Sequence, residues 1–368
     1  MATPTNDESI PSLGPADDVT RSVRRMRFLS LDMVKGVGVL SFILWHAMAY
    51  FHQSGAESAP AVRFTHYATG LFVFVTGFIL GLRGQADKRP LLPASSVWRA
   101  SRLLLICLAA GIAKQALQGR VLSSSLVLVP LWEICSLGMV SRWDVPLQVL
   151  VVIAAVLLLA PFVVEACRGR RFAAIVFAAA LPLALEPTLR LRVPYLWHFL
   201  LLGVWGTLIG VGLAQNRERA LAALQRLPGP AFAVSALAYL WLQLGVTTHE
   251  AWYVAALFTM AGNLASVVIN VCFWGGPTLV RHDLGGEPAG GIVRVLALLG
   301  RHSLFAYVLQ IVALNAVRAS GLATPSASAL PAALVTAAIA ALCLAACSAI
   351  ELARRLPRFE IGYRTLFA

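Results

Sequence analysis

Charge is scarce in this chain. Asp, Glu, Lys and Arg make up 13% of its 368 residues, while 59% are hydrophobic. An ordinary soluble domain carries roughly a quarter charged residues. A core cannot absorb this much apolar side chain and still leave a water-compatible surface, so a soluble fold is excluded and the solvent is largely lipid. The signatures of several enzyme classes are also missing: no Walker loop, HExxH, GxSxG or metal-ligand spacing occurs in a credible context, and no metal is expected. The six cysteines (Cys107, Cys135, Cys167, Cys272, Cys343, Cys347) form no CxxC pair. Most lie inside apolar runs and read as small buried hydrophobes. No internal repeat is visible, so the inverted halves of many transporters find no support. A cleavable signal peptide is not evident either; residues 1–26 open with the polar, Pro-containing "MATPTNDESIPSLGPADDVT" and are expected to be a disordered cytoplasmic leader.

What is present is a succession of apolar runs. A helix needs about 20 residues to cross the hydrocarbon core. Spans are expected near 33–52, 67–83, 102–118, 146–166, 172–187, 195–214, 229–247, 252–274, 293–318 and 329–351. The fold class is therefore an all-α, polytopic membrane helix bundle of about ten spans, with its membrane domain over 27–353 and a cytoplasmic tail over 354–368. The segment 121–140 is apolar but broken by Ser, Pro130 and Glu133; it reads as re-entrant, interfacial or an eleventh span. The net charge of +13 comes from arginines that punctuate apolar runs rather than forming one solvated patch, which argues for lipid headgroups and against nucleic acid. With ten spans, most arginines fall on one side, which places both termini in the cytoplasm.

The first span, "RFLSLDMVKGVGVLSFILWHAMAYF" over 27–51, holds three ionisable groups in its apolar run. Asp32 and Lys35 are one turn apart and able to pair. Lys35 and His46 are separated by three full turns, roughly 16 Å along one helix face. Ionisable groups inside a bilayer usually face a cavity or a partner. Snorkelling and simple pairing account for Asp32 and Lys35 as well as a site does. His46 reads either as a neutral histidine bonded to a neighbouring helix or as an imidazole in a polar channel, where it is suited to act as a general base. His52 and His66 flank the outer loop and read as solvated or interfacial. In the second span Gly70, Thr76, Gly77, Gly81 and Gly84 permit close helix approach. Arg99 and Arg102, i and i+3 at the start of the third span, form a basic pair suited to a phosphate-rich ligand or to the cytoplasmic headgroups alone.

These elements together resemble the transmembrane acyltransferases: the acyltransferase-3 group, the glucan-succinylating OpgC-like group and the heparan-glucosaminide N-acetyltransferase-like group. The resemblance is carried by Arg27, Asp32, Lys35-Gly36 and His46; by "LFVFVTGF" at 71–78; by the RxxR pair Arg99 and Arg102; by "WDVPLQVL" at 143–150; by "LGRHSLFAYVLQ" at 299–310; and by the tail "FEIGYR". Departures are Lys35 for the usual Arg, Thr76 for the commoner Ser, one extra residue between Arg27 and Asp32, and Gln310 where many relatives carry His.

The resemblance implies an acyltransferase of a bacterial cytoplasmic (inner) membrane. It would take acetyl-CoA or succinyl-CoA as co-substrate, with no bound cofactor, and acylate a hydroxyl or amine of an extracytoplasmic carbohydrate or glycoconjugate. His46 would be the base, with Asp32 and Lys35 in support. Arg27, Lys35, Arg99 and Arg102 would meet the phosphates of the acyl-CoA, and Ser303, Tyr307 and Gln310 would line the channel. A homo-oligomer is compatible with all of this. A proton-coupled secondary transporter is the alternative of another class, and a degenerate scaffold without activity is a third.

Overall fold

The computed structural model describes residues 29–52, 68–84, 93–117, 148–168, 195–215 and 291–367. The spans expected near 172–187, 229–247 and 252–274, the segment 121–140, and the leader with Arg27 lie outside them. Among the described residues the elements are helices α1 (Leu29–Phe51), α2 (Ala68–Gly84), α3 (Ala94–Leu117), α4 (Gln148–Arg168), α5 (Tyr195–Gln215), α6 (Gly291–Arg301), α7 (Ser303–Ala319), α8 (Leu330–Ala353) and α9 (Pro357–Phe367), with no strand. Helices α1, α3, α4 and α8 are long and apolar enough to cross a bilayer; α6 and α7 pass the same test as a bent pair, and α2 and α5 carry shorter apolar stretches. The protein is an all-α membrane protein. Exposed leucines on α8 (Leu330, Leu334, Leu342, Leu352) are what a lipid-facing helix presents.

One core cluster ties α1, α3, α4, α7 and α8 together, with Phe72 of α2 joining it. Helices α1 and α7 run in the same direction: Phe42 meets Tyr307, and further along Tyr50 lies under the Arg318 guanidinium. Gly321, at φ 68°, terminates α7 in the left-handed conformation. The chain then returns as α8, and Ser326 donates its backbone N–H to the Phe51 carbonyl at 3.1 Å.

Helix α2 packs on α5 with backbones almost touching. Gly77 and Gly81 face the carbonyls of Gly203 and Thr207, while Gly206 and Gly210 face those of Phe74 and Phe78. Gly77 and Gly81 of the second span thus serve close approach, as their spacing suggests. Thr76 bonds back to the Phe72 carbonyl at 2.8 Å, within its own helix.

Two boundaries differ from the sequence reading. Helix α3 starts at Ala94 rather than at 102, because "SSVWRAS" is helical although it lacks the apolar density of a span. The expected ninth span is broken: α6 and α7 meet at His302 with a bend of 84°. Physically, α6 is drawn across α1, where Gly36 admits the Leu296 carbonyl and Gly300 admits that of Asp32. A straight continuation of α7 would not make those contacts.

Candidate functional site

The face of α1 that turns inward carries Phe42, His46 and Tyr50, spaced i, i+4, i+8. His46 is buried, 5% exposed, and stacks on Phe42 with ring centroids 5.9 Å apart and planes at 7°. Tyr50 tilts against its other side at 6.4 Å. Tyr307 of α7 closes on Phe42 at 5.1 Å. Gln310, one turn along α7 from Tyr307, is completely buried. The His46 imidazole is therefore walled by aromatic rings where α1 meets α7, with α3 packed in the same cluster.

Toward the Leu29 end of α1 lies the ion pair. Lys35 Nζ is 3.0 Å from Asp32 Oδ1, with Asp32 buried and Lys35 half-buried. Arg99 and Arg102 part company: Arg99 is exposed, whereas Arg102 turns into the bundle and is 9% exposed. Their i, i+3 spacing puts them about 60° apart around the helix, enough at this boundary for one to be covered and the other not. Ser303 is half-buried at the start of α7.

A second cluster escaped the sequence reading. At the α6–α7 break, His302 is buried between two partners. Its Nε2 is 3.1 Å from Glu351 Oε1, and its Nδ1 is 2.6 Å from the Tyr363 hydroxyl. A carboxylate only accepts, so Nε2 donates to Glu351; in the neutral ring Nδ1 then accepts from Tyr363. Burial pushes the Tyr363 hydroxyl well above its ordinary range, which keeps it a donor. Glu351 also takes Arg301 at 2.6 Å and Arg354 at 3.6 Å. Arg354 in turn holds Glu360 of α9 in a two-point contact, which raises its pKa and fixes its charge.

Arg301, Glu351, Arg354 and Glu360 line an open cleft of about 830 Å³. The signal available in the sequence was the pairing of "RH" in one conspicuous stretch with "FEIGYR" in another, but nothing in either fixes the contact. This cluster clasps α9 to the bundle. Replacing Tyr363 with Phe removes the hydroxyl and leaves His302 Nδ1 buried without its donor. The expected loss is about 1–2 kcal/mol of stability, read as a lower unfolding temperature in detergent with earlier proteolysis of the C-terminal helix.

The cysteines match expectation where they are described: Cys107, Cys167, Cys343 and Cys347 are buried. Among the described residues no group of His, Cys, Asp or Glu is arranged to hold a metal ion.

A family model described as an acyltransferase domain, that of the acyltransferase-3 family, matches residues 28–351. No curated protein and no solved structure matches the chain.

Proposed function

The chain belongs to the acyltransferase-3 family and is a membrane-embedded acyltransferase, and from that premise we propose that it moves an acetyl or succinyl group from cytoplasmic acyl-CoA to a hydroxyl or amine of an extracytoplasmic carbohydrate. The observation that carries this reading is His46, an imidazole enclosed by Phe42 and Tyr50 in the last third of a membrane-spanning helix. Histidine suits general-base work because its neutral ring accepts a proton and returns it within the same turnover.

The reaction needs little else. His46 takes the proton of the acceptor hydroxyl as its oxygen attacks the thioester carbonyl carbon. The C–S bond then breaks, and the CoA thiolate leaves toward the cytoplasm, taking the proton. Arg102, Arg99 and Lys35, with Arg27 before the helix, supply cationic charge for the phosphates of the donor. Asp32 holds Lys35 in place rather than entering the chemistry. Both termini would lie in the cytoplasm of a bacterial inner membrane, on the side where acyl-CoA is made.

The test offers acetyl-CoA and succinyl-CoA to purified protein, following binding by calorimetry and release of free CoA by its thiol. Binding with slow release is expected even without acceptor, as water substitutes poorly for the hydroxyl. Arg102→Ala should raise KM for the donor about tenfold or more, the worth of one charge-assisted hydrogen bond, with kcat little changed. Arg99→Ala should do less, because an exposed charge is screened. No binding and no release would remove acyl-CoA from the account and favour a proton-coupled carrier.

A further inference from the structure

We propose that Gln310 is the oxyanion donor of the transfer, its side-chain amide hydrogen-bonding the carbonyl oxygen of the acyl thioester while His46 deprotonates the acceptor. This rests on the acyl-CoA reading above. The observation behind it is independent of that reading: Gln310 is 0% exposed, and no group among the described residues bonds either its Nε2 or its Oε1. A buried amide with both ends unbonded carries a desolvation cost that a leucine or methionine at the same place would avoid. Elsewhere in α7 the buried Asn315 does not stand in this state, since it bonds back to the Ile311 carbonyl at 2.8 Å.

Placement supplies the second half of the argument. Tyr307, Gln310 and Leu314 are i, i+3 and i+7 and share one face of α7; Tyr307 and Leu314 of that face pack in the cluster that holds Phe42, Ile43 and Ala47 of α1. With Tyr307 against Phe42 and the two helices parallel, Gln310 rises about 4.5 Å above that contact and His46 about 6 Å. Amide and imidazole therefore lie at nearly the same depth. When the acceptor oxygen attacks, the carbonyl π pair moves onto the thioester oxygen, and an N–H already held in a water-poor setting stabilises it without reorganisation. Collapse returns the pair, breaks the C–S bond and expels CoA.

Gln310→Met and Gln310→Leu test this beside wild type and His46→Gln in the full-length protein. Expected are an unchanged or higher unfolding temperature, a KM for acetyl-CoA raised only severalfold and a kcat lower by about 10²–10³. The carbonyl stretch of bound [1-13C]acetyl-CoA should move to higher wavenumber once its hydrogen bond is gone. Full kcat in both variants, with His46→Gln inactive, would overturn the proposal and leave the donor and base assignments standing. A fall in unfolding temperature that accounts for the lost activity would equally overturn it, making Gln310 structural. Wild type that neither binds nor cleaves acyl-CoA would overturn both readings together.

Discussion

His46→Gln is expected to abolish most turnover while leaving the fold and donor binding intact. Glutamine keeps a polar side chain of similar length between Phe42 and Tyr50, so the aromatic packing seen at 5.9 and 6.4 Å loses a ring but is not opened as alanine would open it. What it removes is the capacity to accept a proton from a hydroxyl and hand it on. Loss of a general base costs about 10²–10⁴ in rate, and CoA release should fall by that factor with an unchanged calorimetric affinity for acyl-CoA. His46→Ala should show the same loss of rate together with a lower unfolding temperature, because it also leaves a cavity. A glutamine variant that retains full turnover would leave His46 as a packing residue and pass the base role to another group.

How far these assignments were visible in the sequence depends on the range over which each is determined. The burial of His46 was legible because 3.6-residue periodicity and the scarcity of charge act within one helix; the Asp32–Lys35 pair was legible for the same reason. The basic pair Arg99 and Arg102 was only half legible. Spacing puts them near one face, but which of them is covered depends on the helices packed against α3. The break at His302 was not legible at all. The run over 293–318 reads as one straight span. What bends it is contact with Gly36 and Asp32 on α1, together with partners 49 and 61 residues further on, Glu351 and Tyr363. Gly36 stood in the sequence as half of a motif; its physical use, admitting the Leu296 carbonyl, belongs to tertiary structure. Gln310 likewise stood out only as a departure from relatives, whereas its unbonded burial is a property of the folded bundle.

The largest effect on folding is expected from the α2–α5 interface. Within lipid no hydrophobic driving force presses two apolar helices together, so their association depends on van der Waals contact, and that grows as the backbones approach. Gly77, Gly81, Gly206 and Gly210 each have a carbonyl of the opposite helix where a Cβ would stand. These obstacles are backbone, not the ends of flexible side chains, so a larger residue must drive the whole helix away. Gly206→Leu should therefore cost about 3 kcal/mol or more, at the upper end of overpacking effects, and lower the unfolding temperature and the yield of folded protein. Gly77→Leu should behave alike. The double variant should be less destabilised than the sum of the two, because the first substitution has already separated the surfaces that the second would force apart. Gly212→Leu on the same helix as Gly206 is the control: among the described residues nothing lies within 4 Å of the point its Cβ would occupy, and the change should be close to neutral. A Gly206→Leu protein as stable as the Gly212→Leu protein would show that α2 and α5 do not depend on backbone contact, and that the close approach of the two helices is maintained by the bundle around them.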